Sequence, residues 1–260
     1  MIDFHTHFFP DSIAQKTMSK LTAYHNTVAY TDGTENGLKA SMKEAGIDLS
    51  IILPVVTSPE QFKSINQFAE QYRSDTLLSF GGIHPDSANY KEELKELHDR
   101  GFIGIKLHPD YQGVLFNDIR YKRLVSYANE LGMIIMVHAG WDVAYPDCIH
   151  CTPRMASEVI DEVAPQKLIL AHLGGFFCWD DVEKYIVGKD VYLDTSLVFK
   201  LIADEQFVRI CRNHGVNKIL FGTDSPWTLQ KDSVDYLNSL DLTASEKQQI
   251  LEENARNVLT

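Results

Sequence analysis

The sequence predicts a (β/α)8 barrel, an α/β fold in one domain over residues 1–260. Three observations carry this expectation. Short β-branched-rich runs alternate with amphipathic helical patterns along all 260 residues. The runs are continuously apolar, as strands buried on both faces of a parallel sheet are. Eight strand-plus-helix units fit the roughly 250 residues that such barrels take. An open doubly wound sheet is the competing layout, but no Gly-rich phosphate loop follows any run.

The elements follow in order. The first run, residues 2–4, leads into His5-Thr6-His7. Residues 15–33 are polar and aromatic without a clear period and predict an elaborated first connection. The second run, 50–55, precedes Ser58-Pro59-Glu60-Gln61, a capping box with Pro at the first helical position. The third, 77–83, ends in Gly82-Ile83-His84-Pro85, and the fourth, 102–107, carries Lys106 and then His108. The fifth, 133–137, ends at His138, after which Thr152-Pro153 repeats the cap-then-Pro signal. The sixth, 167–171, ends at His172, and the seventh, 191–193, at Asp194. The eighth, 218–221, leads to Asp224, and Thr243-Ala244-Ser245-Glu246 caps a later helix. Glycines such as Gly46 and Gly132 stand just before strands, where a left-handed residue closes a helix.

Composition narrows the function classes. Hydrophobic residues make up 44% and charged residues 23%, which excludes a disordered or collagenous chain. The formal charge of −12 argues against nucleic acid, whose binders show a basic patch. No apolar stretch is long enough to span a membrane. The four cysteines are too few for a disulfide scaffold, and Cys148-Ile149-His150-Cys151 lacks the second pair that a structural zinc needs. With no basic, apolar leader at Met1-Ile2-Asp3-Phe4-His5, a cytoplasmic location with reduced thiols is expected. The expected partner is a small-molecule substrate, with no nucleic acid and no membrane. A homo-oligomer is compatible with the sequence.

What ends the strands points to chemistry. Seven of the eight runs finish on an ionisable residue, and the C-terminal strand ends of a barrel converge on one mouth. His5 and His7, two apart on a strand, share a face. With His138, His172 and Asp224 they put five metal-ligand types at that mouth. Packing offers no reason for this, since buried unpaired polar groups cost free energy. A divalent metal, zinc by residue type, is the compensating partner, as one ion or two.

These residues resemble the amidohydrolase superfamily of metal-dependent barrel enzymes. The likeness rests on Asp3-Phe4-His5-Thr6-His7, on His138, on Ala171-His172-Leu173-Gly174-Gly175 and on Phe221-Gly222-Thr223-Asp224-Ser225-Pro226-Trp227. It spans the chain and is nearest the branch of aminocarboxymuconate-semialdehyde decarboxylase and several lactonases. It implies that His5, His7, His138 and Asp224 face a metal. His172 would bind a second ion or hydrogen-bond the metal's water. Asp224 would take a proton from that water and pass it to the leaving group. Lys106 stands where the TatD nuclease branch has glutamate. Asp224 is followed by Ser225-Pro226, without the His that polymerase-and-histidinol-phosphatase domains carry two residues on. Both nuclease and phosphatase readings are thereby demoted.

The resulting expectation is a hydrolase acting on an amide, ester or lactone. Its alternatives are a metal-dependent decarboxylase of the same fold and a non-catalytic metal-binding protein. Asp224, His172 and Lys106 are the expected catalytic residues. Lys106 is either carboxylated to bridge two metals, or an ammonium that binds a substrate carboxylate, or a lysine turned outward. Trp141, Arg154 and Trp227 are candidate substrate contacts, and Arg154 could instead pair with a local carboxylate.

Overall fold

The computed structural model of the chain describes residues 1–25 and 27–260. Among the described residues nine strands follow one another: β1 (Ile2–Thr6), β2 (Leu49–Ile52), β3 (Leu77–Ser79), β4 (Gly81–Gly82), β5 (Gly104–Leu107), β6 (Ile134–Val137), β7 (Leu168–Leu170), β8 (Tyr192–Asp194) and β9 (Ile219–Leu220). Every pairing is parallel, in the orders β1-β2-β3 and β4 through β9. β3 and β4 are one barrel strand broken at Phe80, whose N–H still donates to Ile52 O at 3.0 Å. At the other side Phe4 N–H donates to Phe221 O at 2.8 Å, and Thr6 bridges to Ser225. The result is the (β/α)8 barrel that the sequence predicts, with helices between successive strands.

Two hydrophobic clusters follow from strand alternation. Ile105, Leu107, Ile135 and Val137 face outward into the larger one, against the helices. Ile2, Phe4, Phe80, Ile134, Met136 and Ile169 form the smaller one, which fills the barrel. Gly104 belongs to this inner face: a Cβ there would meet the Phe80 ring at 2.7 Å. Above the apolar layer the same alternation continues in polar residues. Lys106 follows Gly104, His138 follows Met136 and Asp194 follows Tyr192.

β1 departs from strict alternation. Phe4 lies in the inner cluster, so the next residue is due to face the other way. The register with β2 shifts between Asp3 and Thr6. Such an irregularity re-aims side chains, and His5 reaches Asp194 and Lys106. Asp3 anchors this bend. Its Oδ1 accepts from the N–H groups of Thr223 (3.0 Å) and His5 (3.1 Å). Its Oδ2 accepts from the Thr223 hydroxyl (2.6 Å) and Gln230 Nε2 (2.7 Å). Burial pushes the Asp3 carboxyl up to about 7, while these donors pull it down.

Local expectations fare unevenly. Thr152 accepts from Met155 N–H, and Thr243 with Glu246 forms the full capping box. Ser58 caps nothing; Gln61 Oε1 instead accepts from the Thr57 N–H at 2.9 Å. Much of 15–33 lies in a helix, Asp11–His25, that buries Ala14 and Met18. Its buried positions are few, so its period is faint in the sequence. The cysteines are free thiols, and no helix among the described residues is long and apolar enough to cross a membrane.

Candidate metal centre

His5 and His7 come to the mouth from the end of β1, and Asp224 from the turn after β9. Asp224 N–H donates to His5 O at 2.8 Å, which ties the two ends together. Asp224 sits at φ 64, a left-handed conformation that a non-glycine residue holds only under constraint from its surroundings. Its Oδ1 lies 3.1 Å from His7 Nε2 and 3.4 Å from His5 Nε2. These three atoms form one group of ligand type.

The other ring nitrogens are already engaged. His5 Nδ1 donates to Asp194 Oδ2 at 2.7 Å, and His7 Nδ1 donates to Leu53 O at 2.9 Å. Each imidazole is thereby held in the tautomer whose Nε2 lone pair faces Asp224. A carboxylate or carbonyl behind a histidine orients metal ligands in this way. The donor set fits a divalent ion. Burial and the Lys106 charge lower His5 to about 4, so the ring is neutral. Burial would raise Asp224, but His5 and His7 outweigh it and hold the carboxyl far below its ordinary range. Asp194 shows the same balance, set against His5.

Lys106 is 1% exposed, and its Nζ stands 3.3 Å from His5 Nε2. The outward-facing option is thereby excluded. Burial lowers it to about 8, partly offset by Asp194 and Asp224. It forms no ion pair among the described residues, and its hydrogen-bond partner is a neutral ring.

His172 also sits at positive φ, 59°. Its Nδ1 donates to Ser196 O at 2.9 Å, so its Nε2 is free to accept from His138 Nδ1 at 3.0 Å. That contact turns His138 Nε2 away from His5 and His7. The atom is buried without a hydrogen-bond partner, 3.7 Å from Asp110 Oδ2 and 3.8 Å from Asp142 Oδ2. The structure thus brings His5, His7, Asp224 and Lys106 together, with His172 beside them. It gathers His138 with His108 and Asp142 instead. Asp110 and Asp142 escape a sequence reading. The signals available are Asp110 two residues past His108 and Asp142 four past His138. Burial raises both carboxyls, Asp142 to about 6.

The remaining candidates lie further out. Arg154 is 72% exposed and pairs with Glu158, so the local-carboxylate option describes its side chain and the substrate contact does not. It opens the helix Pro153–Val163, whose first turn points it to solvent beside the residue four on. Trp141 packs edge-on against Phe177 at 6.0 Å, on the rim where Val143 and Tyr145 are also exposed. Trp227 lines a shallow depression with Tyr30, Leu197, Phe199 and Tyr236. His84 turns into its own loop, accepting from Asp86 N–H at 3.1 Å.

Comparison with known proteins agrees with this architecture. The family model described as Amidohydrolase matches residues 2–260. No curated protein matches the chain in sequence. Among solved structures, a 2,6-dihydroxybenzoate decarboxylase from Rhizobium is 16% identical, with TM-score 0.74 over 99% of this chain and 98% of that one. A dihydroxybenzoic acid decarboxylase from Polaromonas, solved with bound manganese and the inhibitor 2-nitroresorcinol, is 15% identical. Its TM-score is 0.72 over 99% and 96% of the two chains. A candidate 2-pyrone-4,6-dicarboxylic acid hydrolase from Pseudomonas putida is 14% identical, with TM-score 0.67 over 99% and 96%. At these identities the likeness is one of fold.

Proposed function

The chain belongs to the amidohydrolase family, and from that premise we propose that it is a metal-dependent hydrolase of an amide, ester or lactone bond in a small substrate. The observation that carries this reading is the convergence of His5 Nε2, His7 Nε2 and Asp224 Oδ1, with both imidazoles turned inward by a partner behind them. Three protein ligands with an open position are the pattern of catalytic rather than structural zinc. A bound ion, zinc by this donor set, would acidify water and polarise a carbonyl oxygen.

The protein's own groups divide the remaining work. Asp224, whose carboxyl is held far below its ordinary range, accepts a proton from water and returns it to the leaving atom. Lys106 Nζ, buried without a carboxylate partner, holds a substrate carboxylate or oxyanion. It acts as an ammonium: with His138 Nε2 turned away, the centre lacks a ligand that a carbamate-bridged pair of ions would use. His172 fixes the orientation of His138 through Nε2. The aromatic rim of Trp141, Tyr145 and Phe177 suits a flat substrate.

Lys106 also favours a second reading, decarboxylation of an aromatic or unsaturated acid. Its Nζ stands at the ligand atoms themselves, so the carboxylate it neutralises is at the reacting centre. The test is product analysis on chelator-stripped enzyme reloaded with Zn2+ or Mn2+, against lactones, esters, amides and dihydroxybenzoates. Ring-opened or cleaved product without carbon dioxide supports hydrolysis. Stoichiometric carbon dioxide supports the second reading. Full activity in the stripped enzyme would sink both.

A further inference from the structure

We infer that His150, in the stretch Cys148-Ile149-His150-Cys151, is a substrate-binding residue at the outer edge of the mouth, and that its Nε2 accepts a hydrogen bond from a hydroxyl or N–H group of the substrate. This rests on the reading above, in which the substrate lies at the mouth beside His5, His7 and Asp224, and it adds a group that the substrate carries.

His150 is held firmly. Its N–H donates to Asp110 Oδ1 at 3.1 Å, and its Nδ1 donates to the same oxygen at 2.9 Å. Its carbonyl accepts from Phe116 N–H at 2.8 Å. On the C-terminal side Cys151 O accepts from Gly140 N–H at 2.9 Å, and Thr152 caps the helix Pro153–Val163. Asp110, just past β5, is 0% exposed. Burial raises its carboxyl, and His150 pulls it back down. The backbone contact alone would tie the loop to Asp110. The ring contact does more: a carboxylate on Nδ1 sets the tautomer and leaves a lone pair on Nε2.

That Nε2 makes no hydrogen bond or ion pair among the described residues, and the side chain is 15% exposed, so a solute can reach it. The rings beside it lead inward. Tyr145 stands edge-on to His150 at 6.0 Å, and Tyr111 lies 5.8 Å from Tyr145. Tyr111 in turn stacks on His108 at 3.9 Å, with the planes 6° apart. Burial pushes the Tyr111 phenol up, and the charges of Asp142 and Asp224 add to the effect, so this ring adjoins the proposed centre. An aromatic wall therefore runs from the centre to His150. A flat substrate lying along it, with its reacting end at Asp224, meets Nε2 with its far edge. A lone pair there selects a donor: a phenolic or enolic hydroxyl, or a ring or amide N–H. Sites that pair a substrate donor in this way reject the analogue that lacks it.

The test separates the two ring nitrogens. Asn offers an amide nitrogen where Nδ1 stands, and Gln offers an amide group where Nε2 stands. His150→Asn thus keeps the Asp110 contact without Nε2, and His150→Gln does the reverse. Calorimetry on Mn2+-loaded protein compares benzoate with 3-hydroxybenzoate and 4-hydroxybenzoate. Wild type should bind one hydroxylated acid about 3- to 10-fold more tightly than benzoate, the worth of one hydrogen bond. His150→Asn should lose that preference at unchanged Mn2+ content and unfolding midpoint. His150→Gln should keep it with a lower midpoint. A purely structural His150 gives the opposite pattern, with Asn like wild type and only Gln impaired, and that overturns the assignment. So does a wild type that binds all three acids equally or binds none. If the Gln variant does not fold, wild type against Asn decides. A hydroxyl preference that depends on His150, in a protein without metal-dependent turnover, would instead overturn the proposed hydrolytic centre and leave His150 in place.

Discussion

His138 Nδ1 lies 3.0 Å from His172 Nε2, and this contact makes one continuous row of five rings from His108 to His7. Successive centroids, from His108 through His138, His172 and His5 to His7, stand 4.1, 4.7, 5.4 and 5.1 Å apart. The row has carboxylates at both ends, Asp142 beside His108 and Asp224 beside His7. Removing the middle contact would therefore free His138 to turn toward either end.

Asp224→Asn keeps the size of the side chain but removes its basicity. Turnover should fall by about 10²-fold or more. The measurement is kcat at matched metal content, determined on the same preparation. Wild-type turnover in the loaded variant would remove Asp224 from the proton path.

Asp194→Asn should weaken metal binding while leaving the ligand atoms in place. An amide nitrogen opposite His5 Nδ1 favours the other tautomer, which puts the proton on Nε2. Loss of such an orienting partner costs about 10- to 100-fold in affinity. Competition with a chromogenic chelator reads the change directly.

Gly140→Ala should destabilise the loops at the barrel mouth. Gly140 lies at φ 93 and pairs with Phe176, and an added Cβ would come within 1.9 Å of the Phe176 nitrogen. Backbone must move, at a cost of about 3 kcal/mol or more. Thermal unfolding monitored by circular dichroism should show the lower midpoint.

His214 should make stability depend on pH in a separable way. Its Nδ1 accepts from Gly188 N–H at 3.2 Å and its Nε2 donates to Val191 O at 2.8 Å, so the fold holds it neutral. Burial lowers its pKa below the ordinary 6.5. The unfolded chain then takes up a proton first as pH falls, and stability drops below about pH 6.5. The stability advantage of wild type over His214→Gln should be full at pH 7.5 and shrink by pH 5.5, in urea titrations at each pH. A constant difference would refute this.

Much of the barrel and part of its centre are legible in the sequence because both depend on local pattern. Continuously apolar runs mark the strands, and an ionisable residue at the end of seven of the eight runs marks the mouth. His5, His7, Lys106, His172 and Asp224 are found this way. Asp194, as the partner of His5, is not, because 189 residues separate them and only closure of the barrel sets the pairing. Asp110 and Asp142 sit in connections, where no period singles them out. Arg154 misleads for a related reason: its place at a helix start is local, but which way that helix start faces is set by packing.

The tie between Asp224 N–H and His5 O has a consequence for biosynthesis. Two ligands of the proposed centre leave the ribosome more than two hundred residues ahead of the third. A nascent chain that has not yet delivered β9 carries His5 and His7 on a strand with one neighbour instead of two. Contacts of such sequence separation form late and slowly. Loading of the proposed centre would therefore wait until β9 and Asp224 have emerged.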